Sequence, residues 1–144
     1  MKADTQTEAA VKAVLNKMAE SYAKRDVEAL LGLMAPDPDH VMFGTQADEK
    51  RIGPAAIRTQ AARDWSQTEA ASMGLGWTSV SAAGNIAWVA ADMTFKVKAG
   101  GQEMALPGRM TAVLEKRGDK WLFVQSHFSL PAAGQRGESF PSGG

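Results

Sequence analysis

Apolar residues at Val11, Val14, Leu15, Met18 and Tyr22 recur at three- and four-residue steps, the spacing of one face of an amphipathic helix. They predict a first helix from about Gln6 to Lys24, with Thr5 and Glu8 at capping-box spacing at its start. Asp26 is placed to cap a short second helix through Val27, Leu30, Leu31 and Met34, which Pro36 and Asp37-Pro38-Asp39 end. The run His40-Val-Met-Phe-Gly44 is short and apolar and reads as a strand. Gly53-Pro54 then opens a third helix to about Ser72, with Ile57, Ala61 and Trp65 on one stripe.

Beyond Ser72 the apolar period falls to two, and three glycine-containing turns, at Gly84-Asn85, Gly100-Gly101 and Gly118-Asp119, divide the chain into an antiparallel meander of long strands. Two-residue turns fix the sum of cross-strand residue numbers. Ser81 should oppose Trp88, Trp77 should oppose Asp92, Phe95 should oppose Leu106, and Asp92 should oppose Arg109. Two faces result. One carries Val80, Val89, Met93, Phe95, Val97, Met104, Leu106 and Met110; the other carries Trp77, Trp88, Asp92, Arg109 and Thr111, with Asp92 and Arg109 as an ion pair. The last strand, Lys120 to Leu130, has an open parity. A two- or four-residue third turn sets His127 opposite Met110, whereas a three- or five-residue loop or a bulge at Gly118 sets it with Arg109.

Both faces are too apolar to stand in water and three helices can cover only one, so a homodimer formed sheet to sheet is expected. The segment from Pro131 to Gly144, rich in Pro, Gly and Ser, reads as a flexible tail behind a domain of residues 1–130.

The 144 residues suit one globular domain, and sixteen Lys and Arg balance sixteen Asp and Glu. Such a chain has no net field to gather nucleic acid or an anionic membrane. With no cysteine and only two histidines, thiolate chemistry is excluded and a multi-histidine metal centre is not expected. No apolar run suits a membrane span or a leader, which predicts a soluble, cytoplasmic protein.

Three segments together resemble the SnoaL-like branch of the nuclear transport factor 2 superfamily, which includes ketosteroid isomerases, polyketide cyclases and a kinase association domain. They are Tyr22-Ala-Lys-Arg-Asp-Val-Glu-Ala-Leu with Met34-Ala-Pro-Asp, then Gly84-Asn-Ile-Ala-Trp-Val, then the stretch from Arg109 to Pro131 containing Lys-Trp-Leu-Phe-Val-Gln-Ser-His-Phe-Ser. The resemblance implies an α+β, cystatin-like cone: three N-terminal helices on a strongly curved, mainly antiparallel sheet, with a pocket at the open end and commonly a dimer. It also implies that Trp88, Arg109, Thr111, His127 and Ser129 occupy positions of the family's sheet motifs, several of which line the pocket, and that His127 shares the concave side with Trp88 and Arg109 through an irregular third turn. The ketosteroid isomerases carry a carboxylate on the first strand, whereas His40-Val-Met-Phe-Gly44 contains none. Their oxyanion donors are a tyrosine and a protonated acid; here Tyr22 is the one tyrosine, and Arg109 falls near the acid's position.

Two functional readings follow. In the first, a small, partly apolar molecule is isomerised, cyclised or dehydrated by acid-base chemistry without cofactor or metal, with His127 as base or donor, Asp92 as its partner or an alternative base, and Arg109 stabilising negative charge. Tyr22, Trp88, Thr111 and Ser129 would contact the ligand. In the second, the same pocket serves a noncatalytic dimeric binding or association module. Each residue also has a plain structural role open to it: His127 as a wall residue, Asp92 and Arg109 as a surface pair, Tyr22 and Trp88 as core or rim aromatics.

Overall fold

The computed structural model describes residues 1–140. Helix α1 spans Thr5–Ala23 and buries Val11, Leu15, Met18 and Ser21. Its cap is Asp4, whose side chain accepts from the Thr7 N–H at 2.7 Å. Thr5 is thus already helical, and Glu8 pairs with Lys12 at 2.9 Å instead of closing a capping box. Asp26 caps α2 (Val27–Leu31) through the Ala29 N–H, and that helix stops at Gly32, so Met34 lies beyond it in a parallel bridge to Phe123.

Strand β1 (Val41–Phe43) falls within the apolar run, and β2 (Lys50–Ile52) was not legible because three mixed residues carry no period. Pro54 stands at the first turn of α3 (Pro54–Ser66). The helix ends well short of Ser72, because β4 (Ile86–Ala99) reaches far enough to recruit Ala70 and Ala71 into β3 (Ala70–Ala83), opposite Lys98 and Val97.

Strands β5 (Gln102–Arg117) and β6 (Lys120–Ser129) complete a six-stranded sheet of order β2-β1-β6-β5-β4-β3, antiparallel except for the β1–β6 pair. The register arithmetic holds for Ser81 with Trp88, Phe95 with Leu106, and Asp92 with Arg109. It shifts by one residue beyond Trp77, because a bulge between Leu75 and Thr78 sets Gly76 together with Trp77 against Asp92 and leaves Leu75 opposite Met93. A second bulge settles the parity of the last strand. Arg117 pairs with Lys120, so the third turn is a regular two-residue loop, and the shift comes at Val124, between the Leu114–Phe123 and Val113–Gln125 pairs. His127 therefore lies opposite Thr111 and shares a face with Arg109.

The helices cover the face of Val80, Val89, Met93 and Met110, which with α1 and Phe123 forms the core. This is the more apolar of the two faces; each Leu, Phe or Met buried there contributes about 1.5–3 kcal/mol. The opposite face, with Trp88, Asp92, Arg109, Thr111 and His127, is turned outward and exposed. Residues Pro131 to Phe140 form no helix or strand, and the last four residues of the expected tail lie outside the described residues. Among the described residues no helix is long and apolar enough to cross a membrane.

Candidate functional site

Beside the core, the inner face of the sheet forms one wall of a cavity of about 440 Å³. The sheet contributes Met73, Phe95, Val97, Met104, Leu106 and Phe128. Helix α1 contributes Met18 and Tyr22, and α3 contributes Ile57, Gln60, Ala61 and Asp64. The wall is mostly apolar, and five methionines, Met18, Met34, Met42, Met73 and Met104, give it an adaptable surface.

Its polar part is a connected chain of hydrogen bonds. The Tyr22 hydroxyl donates to Asp64 Oδ2 at 2.8 Å. Gln60 Nε2 donates to Asp64 Oδ1 at 2.7 Å and to Glu49 Oε1 at 2.6 Å, while Gln60 Oε1 accepts from Arg51 Nε at 2.7 Å. Glu49 Oε2 accepts from the Gln46 backbone N–H at 2.6 Å. Gln60 and Glu49 are buried, at 4% and 7% exposure, so each polar atom needs its partner. Gln60 and Asp64 are one helical turn apart on α3, on the stripe that also carries Ile57 and Ala61.

Burial pushes the Asp64 carboxyl above the ordinary aspartate range, against the hydrogen bonds from Tyr22 and Gln60, which favour its charged form. Burial, reinforced by the neighbouring Asp64, pushes the Tyr22 phenol far above its ordinary range, so Tyr22 keeps its proton at neutral pH. The pair therefore sets a neutral phenol against an acid whose charged form is disfavoured, at the edge of an apolar volume. Such a pair can hold, accept or return a proton at a bound ligand.

Of the residues singled out from the sequence, Tyr22 borders this cavity. His127, Asp92, Arg109, Trp88, Thr111 and Ser129 do not. They share the outer face of the sheet, so the expectation that they line the concave side is corrected: the helices bury the more apolar face and leave this one outward. Asp92 and Arg109 stand opposite each other but form no ion pair among the described residues. His127 packs against Phe43, ring centroids 5.1 Å apart. Glu49, Gln60 and Asp64 were missed. The polar pair Gln60 and Asp64 on the Ile57–Ala61 stripe was the signal for two of them; Glu49 sits on an irregular loop that gives none. No group of three or more metal-ligating side chains occurs among the described residues.

Helices packed on one face of a six-stranded mixed sheet, with a cavity at the end of the core, define an architecture of the α+β class. The chain belongs to the SnoaL-like domain family, whose model matches residues 11–133. No curated protein matches it. Among solved structures it is similar to a nuclear transport factor 2 (NTF2-like) superfamily protein from Salmonella enterica, at 21% identity and TM-score 0.83, over 96% of this chain and 100% of that one. It is also similar to a Streptomyces avermitilis protein named as a putative dehydratase of the NTF2-like family, at 18% identity and TM-score 0.81, over 90% of this chain and 100% of that one. A Nostoc punctiforme protein of unknown function with a cystatin-like fold matches at 12% identity and TM-score 0.74, over 92% and 97% of the two chains. At these identities the likeness is one of fold.

Proposed function

We propose that the chain binds a small, mainly apolar molecule in the cavity between α1, α3 and the inner sheet face. There it performs cofactor-free acid-base chemistry of the isomerase, cyclase or dehydratase type. The observation that carries this reading is the 2.8 Å Tyr22–Asp64 contact at the wall of an otherwise apolar cavity. Asp64 moves the proton, and Tyr22, whose hydroxyl donates to Asp64, holds that carboxyl in place at the cavity wall. The dehydratase name of the Streptomyces avermitilis protein is in keeping with this class of reaction.

The test is incubation with a panel of β-hydroxy and β,γ-unsaturated ketones, followed by mass spectrometry for loss of water and by ultraviolet absorbance for conjugation. Turnover that disappears in Asp64→Asn supports the reading. Ligands that bind without turnover in both proteins favour the second reading, a noncatalytic binding module, which the complete internal pairing of the Tyr22–Asp64–Gln60–Glu49 chain also suits.

We also propose that the outer face of the sheet buries itself against a second copy of the chain. Trp88, 37% exposed, and Phe43, also 37% exposed, stand on a strand surface that also carries the exposed Arg109 and His127 and that no helix among the described residues covers. The residues expected at the pocket would then serve assembly.

A further inference from the structure

The hydrogen-bond chain along the cavity wall has a directional character that bears on what can bind. Every polar hydrogen of its side chains that faces the wall is already given to a carboxylate. The Tyr22 hydroxyl is spent on Asp64, both hydrogens of Gln60 Nε2 on Asp64 and Glu49, and the Gln46 backbone N–H on Glu49. What remains for a ligand along this chain is acceptor capacity, the lone pairs of the Tyr22 oxygen and of the two carboxylates, so that the free donors at the cavity are confined to the neutral side chains of Thr45, Gln46 and Gln67.

Cations are kept out of the lining. Among the described residues bordering the cavity there is no Lys, Arg or His, while two acids, Glu49 and Asp64, are present. Arg51 approaches only from behind, its Nε engaged by Gln60 Oε1, and Arg25 is engaged by the carbonyl oxygens of Trp65 and Thr68. The uncommitted polar side chains at the cavity, Thr45, Gln46 and Gln67, are neutral, and the two glutamines are exposed.

We infer that this cavity selects an apolar molecule whose polar end is a hydrogen-bond donor, a hydroxyl or an ammonium group, and rejects carboxylate and phosphate ligands. The inference rests on the cavity being the ligand site and adds the polarity of the ligand. A donor end completes the unfilled lone pairs of Tyr22, Asp64 and Glu49. An anionic end would meet two carboxylates with no free charged donor to balance it, a repulsive element that gives specificity.

A matched series on one skeleton tests this: naphthalene, naphthylmethanol, naphthylmethylamine and naphthoate, titrated into the intact protein at neutral pH by calorimetry. The alcohol or the amine should bind at least about tenfold more tightly than naphthoate, a difference of about 1.4 kcal/mol. The amine ahead of the alcohol assigns the donor as ammonium; the reverse order assigns it as hydroxyl; both support the inference. Equal affinities across the series, or naphthoate as the tightest, overturn it while leaving the cavity as a ligand site. Failure of all four, naphthalene included, to bind overturns the ligand site and the inference together. In Glu49→Gln the penalty on naphthoate should shrink, with thermal unfolding confirming that the variant is folded.

Discussion

Trp65 Nε1 donates to the Tyr22 carbonyl oxygen at 3.2 Å while the two rings pack with centroids 5.8 Å apart. The last turn of α1 is thereby fastened to the last turn of α3, and the Tyr22 hydroxyl is brought to Asp64. Arg25 completes the joint. Its guanidinium donates to the Trp65 carbonyl at 2.7 Å and the Thr68 carbonyl at 2.9 Å, satisfying carbonyls left free at the end of α3.

Removing that clamp should loosen both helix ends at once. Arg25→Ala is expected to lower unfolding stability by about 1–3 kcal/mol, the range for stranding partly buried acceptors. Arg25 also holds a φ of 57°, which glycine adopts more easily, so Arg25→Gly should cost less than Arg25→Ala. Urea denaturation of the two variants measures both; an unchanged midpoint in Arg25→Ala would show that the clamp contributes nothing.

Asp64 carries a pH signature. Burial raises its folded-state affinity for a proton above that of an ordinary aspartate, whose value is 3.8, so its protonated form favours folding. That contribution is full below the ordinary value and is lost as pH rises through the raised folded one. The stability of the native protein minus that of Asp64→Asn should therefore fall as pH rises from about 4. A difference that rises with pH would mean that the hydrogen bonds to Asp64 outweigh its burial. In turnover assays, Tyr22→Phe and Asp64→Asn should each reduce the rate by about 100-fold or more if the pair handles the proton.

His40 is 1% exposed, with Nδ1 3.3 Å from the Ala35 carbonyl and Nε2 without a partner among the described residues. Burial holds the imidazole below its ordinary value of 6.5, against the charges of Asp37 and Asp39 that favour its cation. The unfolded chain thus takes up the proton first. The stability from His40 is present above 6.5 and lost as pH falls through the folded value. Thermal unfolding between neutral and mildly acidic pH should show a decline that His40→Leu flattens; an identical slope in both proteins rejects the assignment.

Gly44 lies where a Cβ would come within 2.6 Å of Glu49 Oε2 and 2.8 Å of Glu49 Cβ. The first contact could swing away, but the second is fixed to the backbone. Gly44→Ala is expected to displace Glu49, detach it from Gln60 and destabilise the fold by about 1–3 kcal/mol. A crystal structure of the variant with the Gln60–Glu49 contact intact would contradict this.

On the outer face, Trp88→Lys should convert a dimer to a monomer in sedimentation at micromolar concentration while leaving the far-ultraviolet circular dichroism unchanged. A native protein that sediments as a monomer removes the second-copy assignment of that face.

Much of the sheet was legible because hairpin arithmetic depends only on turn length. Two adjacent glycines at Gly100-Gly101, φ 59° and 76°, suit a two-residue turn, and the Asp92–Arg109 pairing follows by counting. The bulge at Val124 was not legible, since a run that is apolar at both parities reads the same with one residue added. Nor could the sequence show that a pairing on the correct face forms no ion pair: register fixes which backbones meet, and side-chain rotamers fix the rest.

Periodicity by itself determined the three helices, the meander and the apolar face that became the core, because burial of apolar surface is the dominant stabilising force and its period is written in the chain. Only the tertiary structure decided which face the helices cover and therefore where the cavity lies. It also brought Tyr22, Glu49, Gln60 and Asp64 together, from α1, a loop and α3. Those contacts join residues as far as 42 positions apart and rest on the packing of helix ends, a long-range property that no local pattern encodes.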